Sequence, residues 1–352
     1  VKEIPMRIPK LAIAAFALLA LAVPAAAQQK FRVAWSHYTG WEPWGWAQTA
    51  GIVKKWAAKN GIDVEVVLVN DYVESINLYT GGKFDACAMT NMDALTIPAV
   101  GGVDTTVLIV GSFSNGNDGI VLKQGNSVRD LKGRSVKLVE FSVSHYLLAR
   151  ALAMNGMSER DVRTVNTSDA DIAAVFTTDP KGAAVTWNPP LQQARNAKGA
   201  KMVFDSSQIP GEIMDLMVVK TGAPDALKRA LAGAWYEAMA VMSGRDKAAN
   251  DMIEAMAKAS GATAAEFRAQ LQTTALFYKA ADAAKFAAGP DVKKTMEHVR
   301  TFTFAKGLFG KGAKSKDFIG IQFPDKSVLG DAKNVKLRFD ASTMQLAADG
   351  KL

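Results

Sequence analysis

The stretch WSHYTGWEPWGW, residues 35–46, holds four of the chain's seven tryptophans, at 35, 41, 44 and 46, beside His37, Tyr38 and Glu42. Indole faces next to a carboxylate offer two kinds of recognition. A cation stacked on an indole gains about 0.5–2 kcal/mol, and a carboxylate accepts short, charge-assisted bonds from N–H donors. This is the chemistry of binding, not of bond making. No GxSxG motif and no meaningful Ser–His spacing accompanies it. His37, His145 and His298 are the only histidines, and they are too dispersed for a local metal motif. Cys87, the single cysteine, lies in the apolar run FDACAM and reads as a buried, inert thiol without a disulfide. No cofactor and no metal is implied, and the chain does not read as an enzyme.

Further polar groups follow the other strand-like runs. They are Asn70-Asp71-Tyr72 with Glu74, then Thr90-Asn91-Met92-Asp93, then Ser112, Ser114, Asn115, Asn117 and Asp118. Later come Glu140 to His145, Trp187-Asn188 before two prolines, and Glu212 to Asp215. Each has a plainer role to weigh. Asp71 and Asp93 stand where helix N-termini begin and could act only as caps. Trp46, Trp56 and Trp235 lie within helices and suit core packing. His145, in a first helical turn, suits hydrogen bonding within the fold. Trp41 and Trp44 resist such a reading, because a Gly-Trp-Glu-Pro-Trp loop has little regular structure in which to bury two indoles.

The elements that must position these groups alternate. FRVAWS, DVEVVLVN, FDACAM and TTVLIVGSF read as strands, with helices over 44–60, YVESINLYTGG and MDALTIPAVGG between them. After SNGNDG the alternation restarts. SHYLLARALAMNG, DADIAAVFTT and NPPLQQARNAKG read as helices among the strands GIVLK, VRTVNT, GAAVTW and KMVFDS. Strands and helices at this spacing build parallel α/β sheets. EIMDLMVVK returns extended, an alanine-rich helical part runs to about residue 300, and the tail is irregular apart from VKLRF. The chain therefore reads as two α/β lobes. Residues 28–115 with 218–352 form the first, including the C-terminal helices, and 116–217 form the second. Ligands of open α/β sheets bind beyond the carboxyl ends of the strands, so facing lobes make a cleft for a small molecule.

The chain has 352 residues, and Lys2, Arg7 and Lys10 precede LAIAAFALLALAV, Pro24 and Ala25-Ala26-Ala27. This is the layout of a secretory signal peptide. Cleavage after Ala27 and a periplasmic destination are expected. The net charge of +8 is scattered, without the basic stripe of a nucleic-acid binder. No nucleic-acid partner is expected, and a monomer is.

VEFSVSHYLLARAL, DVRTVNTSDADIAAVFTTDPKGAAVTWNPPL and the residues His145-Tyr146-Leu147-Leu148, Val165-Asn166 and Trp187-Asn188-Pro189 carry a resemblance. The chain resembles the taurine, aliphatic-sulfonate and nitrate family of ABC-importer solute-binding proteins over residues 31 to about 300. The first lobe, through WSHYTGWEPWGWAQ, NDYVESINLYTGGKFDACAMTNMDAL and GNDGIVLK, is similar to the branch associated with urea carboxylase, described as binding urea or guanidine. The resemblance implies a type II periplasmic-binding-protein fold. It also implies capture of a solute in the inter-lobe cleft and delivery to an inner-membrane permease with its ATPase. The same fold occurs in thiamine-pyrimidine synthases, whose cysteine-rich iron motif a lone Cys87 cannot supply.

One departure bears on the ligand. The sulfonate binders' Ser/Thr loop at a helix N-terminus suits an anion, but here Glu140 and Phe141 precede Ser142 and Ser144. Glu42, Asp71, Glu74, Asp93, Asp118, Glu212 and Asp215 add acids in cleft-facing stretches, and no arginine lies in those loops. An acidic, tryptophan-rich cleft fits guanidinium. Urea would use the asparagines and serines, and taurine would need a donor set for its sulfonate. The expected ligand contacts are Trp41, Glu42 and Trp44 as a clamp on one wall, with Thr90, Asn91 and Asp93 beside it. Glu140, Ser142, Trp187, Asn188, Glu212 and Asp215 are expected from the other side, with Glu212 and Asp215 on the second lobe.

Overall fold

A computed structural model describes residues 1–3 and 28–352. The expected signal segment lies almost wholly outside the described residues. Among these, no helix is long and apolar enough to cross a membrane.

The first hundred positions alternate as their patterning predicts. Strands β1 (Lys30–Trp35), β2 (Asp63–Leu68), β3 (Ala86–Thr90) and β4 (Thr105–Ser114) are separated by helical segments. The helix expected over 44–60 is two helices, Glu42–Thr49 and Ile52–Lys59, broken at Gly51, whose φ of 75° suits only a residue without Cβ. The expected helix after β3 is a short turn, Asn91–Ala94, running into a π-helical Leu95–Ala99 that contains Pro98. A proline there removes one helical N–H bond and widens the turn.

The second alternation comprises β5 (Asp118–Leu122), β6 (Ser135–Leu138), β7 (Arg163–Asn166), β8 (Ala183–Trp187) and β9 (Lys201–Asp205). The chain then returns through β10 (Met214–Lys220). β11 (Thr274–Leu276) adds to β4, and the tail supplies β12 (Gly320–Gln322), β13 (Val328–Leu329) and β14 (Val335–Phe339). Of these tail strands only the last, VKLRF, has a run long enough to be read from sequence.

The strands form two sheets. The larger is ordered β13-β12-β14-β4-β10-β3-β1-β2, and the smaller β7-β6-β8-β5-β9. Around its centre each repeats one plan. Its second, first and third strands are followed by an antiparallel strand and then the fourth: β2-β1-β3-β10-β4 and β7-β6-β8-β5-β9. In both sheets the antiparallel strand is the one entered by crossing from the other lobe. β10 pairs with β3 and β4 from Met214 onward, so the chain is back in the first lobe a few residues before the expected 217/218 boundary. Asp215 therefore belongs to the first lobe, not the second. β3, β4, β8 and β10 are almost wholly buried, and their apolar runs form the sheet cores beneath covering helices.

Candidate functional site

Where the strand ends of the two lobes face each other, they enclose a small, nearly filled cavity of about 10 Å³. Its wall is aromatic. Tyr38 and Trp41 follow β1, Tyr72 follows β2, and Trp187 ends β8 in the other lobe. Ring centroids are 4.9 Å apart for Tyr38 and Trp41, 5.5 Å for Trp41 and Tyr72, and 5.4 Å for Tyr72 and Trp187. All four side chains are buried. The Trp187 indole N–H donates to the His37 carbonyl at 3.4 Å, joining the lobes beside the rings.

Two carboxylates complete the wall. Asp215 Oδ2 accepts from the Tyr38 hydroxyl at 3.0 Å and from the Ser112 hydroxyl at 2.6 Å. Asp118, at the start of β5, leaves Oδ2 buried with no partner. A third, Asp93, stands behind the wall and takes the Tyr72 hydroxyl at 2.6 Å and the Thr90 hydroxyl at 2.7 Å. No lysine, arginine or histidine lines the cavity. Burial therefore dominates the titration of these acids. It pushes Asp118 up to about 7, with Asp93's charge adding to the shift. It pushes Asp215 up to about 8 and Asp93 up to about 6, the Ser112, Tyr38, Tyr72 and Thr90 hydroxyls opposing it. Tyr38 and Tyr72 are pushed well above the usual phenol range by burial and by the adjacent acids, so both remain donors.

Helix N-termini also meet the cleft, and a carboxylate lies near each. The helix Val143–Met154 points its first turn at the cavity, and the Val143 backbone N–H faces the Asp93 carboxyl from across the cleft. In the reverse sense, the Asp169 carboxyl of the second lobe lies near the backbone N–H of Tyr72, which lowers its pKa, at the start of the helix Tyr72–Thr80 that Asp71 caps. Each helix start is thus faced by one of the protein's own carboxylates, which opposes an anion there.

Of the residues expected at the site, Trp41, Thr90, Trp187 and Asp215 line the cavity and Asp93 backs it. The rest stand elsewhere. Trp44 is core: it is 1% exposed and stacks on Trp235 with centroids 4.9 Å apart. The segment is helical from Glu42, so Trp44 has the regular structure that the loop reading denied it. Glu42 bonds the His37 ring at 2.7 Å and faces a different cavity, behind the tryptophan segment. Asn91 pins the return of the chain, accepting from Met214 N at 2.9 Å and donating to the Glu212 carbonyl at 3.2 Å. Ser142 caps its own helix. Asn188 donates its backbone N–H to Asn117 Oδ1 at 3.1 Å, and its side-chain oxygen is buried and unpartnered outside the cavity. Glu140 sits at the outer mouth, bonded by the Thr164 hydroxyl, in a separate opening shared with Asp71 and Asp169. Glu212 is bound twice by Arg150, at 2.7 and 2.8 Å, and once by the Tyr146 hydroxyl at 2.5 Å.

Tyr38, Tyr72, Asp118 and Val143 are the lining residues outside the expected set. The position of Asp118 after the fourth strand was visible. Tyr38 and Tyr72 each follow a strand directly, and the tryptophans drew attention away from them.

The fold is similar to that of solved binding proteins. The alkanesulfonate-binding protein SsuA from Xanthomonas axonopodis pv. citri, bound to MOPS, superposes with a TM-score of 0.66 at 17% identity, covering 81% of this chain and 96% of its own. The periplasmic aliphatic sulphonate binding protein SsuA from Escherichia coli gives 0.66 at 17%, covering 81% and 95%. The periplasmic nitrate-binding protein NrtA from Synechocystis PCC 6803 gives 0.57 at 15%, covering 93% and 99%. The chain thus has the periplasmic-binding-protein fold of type II. No curated protein sequence matches it. The family model described as NMT1/THI5 like matches residues 47–223, just over half of the chain, which belongs to that family.

Proposed function

We propose that this protein is the periplasmic solute-binding component of an ABC importer. It captures a small planar nitrogenous cation, guanidinium, between its lobes and delivers it to an inner-membrane permease with its ATPase. The observation that carries this reading is the pair of buried carboxylates, Asp118 and Asp215, in an aromatic cavity with no basic side chain. An uncompensated buried carboxylate is costly, and a cation in the cavity removes that cost. Guanidinium offers N–H donors around a flat edge for Asp118 Oδ2 and Asp215, and two faces for Trp41, Tyr72 and Trp187. Urea has the same outline without the charge and leaves the acids uncompensated. A sulfonate or nitrate, the ligand class named for the similar solved proteins, meets carboxylates where it needs donors, since Asp93 already faces the Val143 N–H. Closure of the lobes over the ligand would present a changed surface to the permease. The binding role is favoured over a synthase-like enzyme by a cavity whose lining pairs aromatic rings with carboxylates and holds no histidine or cysteine.

The test is a titration of the protein with guanidinium chloride, urea and taurine against matched sodium chloride, followed by tryptophan fluorescence. Saturable quenching by guanidinium alone is expected. A response to urea alone would make the carboxylates bystanders, and a response to taurine alone would restore the anion logic of the sulfonate binders.

A further inference from the structure

The tryptophan segment has two faces, and the cavity described above uses only one. Tyr38 and Trp41 look toward the inter-lobe space, whereas Trp35, His37, Glu42 and Trp46 line a second cavity of about 380 Å³ on the far side. Its remaining walls come from β2, through Val66 and Leu68, and from the end of the helix Lys247–Ala259, through Ala255, Met256 and Ala259. The walls are mainly apolar, and Leu68 is unusually exposed for a leucine, at 39%. Trp35 is held as a rigid wall because Gly45 packs directly on its ring: a Cβ at Gly45 would lie 2.4 Å from Trp35 Cζ2.

The polar exception is Glu42. Its side chain is 1% exposed, Oε1 is engaged by His37 Nδ1 at 2.7 Å, and Oε2 is buried with no partner. No side chain in the lining bonds that oxygen. Gln48 Oε1 is taken by the Val66 backbone N–H, and the Thr49 hydroxyl donates to its own helix. No lysine or arginine is in the lining. An unmet buried carboxylate oxygen is costly, so the site is built for a donor arriving from outside. A cavity of a few hundred Å³ with apolar walls and one placed acceptor is the ordinary form of a small-molecule site.

We infer that this cavity is a second ligand site, taking a small primary ammonium with an apolar body. The ammonium pairs with Glu42 Oε2, and the body lies against Trp35, Trp46, Leu68 and Met256. The site is physically separate from the inter-lobe cavity and does not depend on the guanidinium reading.

The experiment uses the full chain carrying 5-fluorotryptophan, with resonances assigned through Trp35→Phe, Trp46→Phe, Trp41→Phe and Trp187→Phe. Benzylammonium chloride is titrated in the presence and absence of saturating guanidinium, with benzyl alcohol as the uncharged control. Saturable shifts of the Trp35 and Trp46 resonances are expected in both conditions, on the order of tenfold weaker for the alcohol and for Glu42→Gln. Ala255→Trp, which fills the cavity from a wall that contributes nothing polar, is expected to abolish the shifts. Shifts that survive Ala255→Trp, or that never saturate, would overturn the inference. Shifts confined to Trp41 and Trp187 would also overturn it, since the amine would then be entering the inter-lobe cavity. Absence of guanidinium binding would leave this readout intact, so the two readings fail separately.

Discussion

Two groups of acids flank the cleft, and they behave in opposite ways. Glu212 sits at the rim with Arg150 and Tyr146 closed around it, and the Arg150 guanidinium and Tyr146 hydroxyl hold its pKa below the usual value despite burial. Asp118 and Asp215, in the cavity, have hydroxyls around them but no cation, and burial holds theirs far above it. Glu212 is only partly buried where Asp118 and Asp215 are fully so, and it has the counter-charge they lack, so burial and pairing together separate them. A carboxylate with its own arginine is part of the structure. One without it awaits a partner, and that distinction separates the candidate site from the decoys around it.

The largest expected effect follows. Asp118→Asn removes the charge whose Oδ2 has no partner. Guanidinium affinity should fall by about 2–5 kcal/mol, read by isothermal titration calorimetry, while the ligand-free protein above pH 7 becomes more stable because a buried charge is gone. Glu212→Gln should do the reverse. It leaves affinity within about threefold and costs about 1–2 kcal/mol of stability through the half-exposed Arg150. Equal loss of affinity in both variants would break the comparison.

pH sharpens it. The cavity carboxyls hold their protons more tightly in the folded, ligand-free protein than in the unfolded chain. Their contribution to stability therefore falls as pH rises from about 4 to about 8, through values of about 6, 7 and 8 for Asp93, Asp118 and Asp215. Glu212, with its pKa depressed, contributes stability above its unfolded pKa that is lost as pH falls through the folded one. A bound cation favours the ionised acids. Affinity for guanidinium should therefore climb between pH 5.5 and 8 by as much as about tenfold per unit for each proton released, and then level off. Calorimetry in two buffers of different ionisation enthalpy counts those protons, and a flat profile would mean that the acids do not face the ligand.

This contrast also marks how far the sequence could be read. Alternating apolar runs and Asn-Gly or Gly-Gly stops placed the strands, the two lobes and the acidic, aromatic strand ends, because those signals are local. Which acid is already paired is not local. Arg150 meets Glu212 across 62 positions, and Tyr38 meets Asp215 across 177. Trp44 shows the same limit: its neighbour Trp235 is far along the chain, so nothing beside it in sequence marks it as core. Trp41 and Trp44 therefore form an internal control. Trp41→Ala should lose about 0.5–2 kcal/mol of guanidinium affinity. Trp44→Ala should lose about 3–5 kcal/mol of stability and leave the affinity of the folded fraction unchanged.

The smallest expected effect concerns closure. Asp169 approaches the Tyr72 backbone N–H from the opposite lobe, and burial, with Asp71 nearby, raises its pKa to about 6. This contact exists only while the lobes are together, unlike the bond of Asp215 to Tyr38, which lies within one lobe. A carboxylate at a helix N-terminus contributes about 0.3–1 kcal/mol, so Asp169→Asn should weaken guanidinium binding by about two- to fivefold. Because the contact forms after the ligand has entered, the loss should fall on the dissociation rate and leave the association rate unchanged. Stopped-flow fluorescence separates the two. Slower association would mean that Asp169 acts on the open protein by attracting the cation to the mouth it shares with Asp71 and Glu140, and its approach to the Tyr72 helix would then be a consequence of closure and not one of its causes.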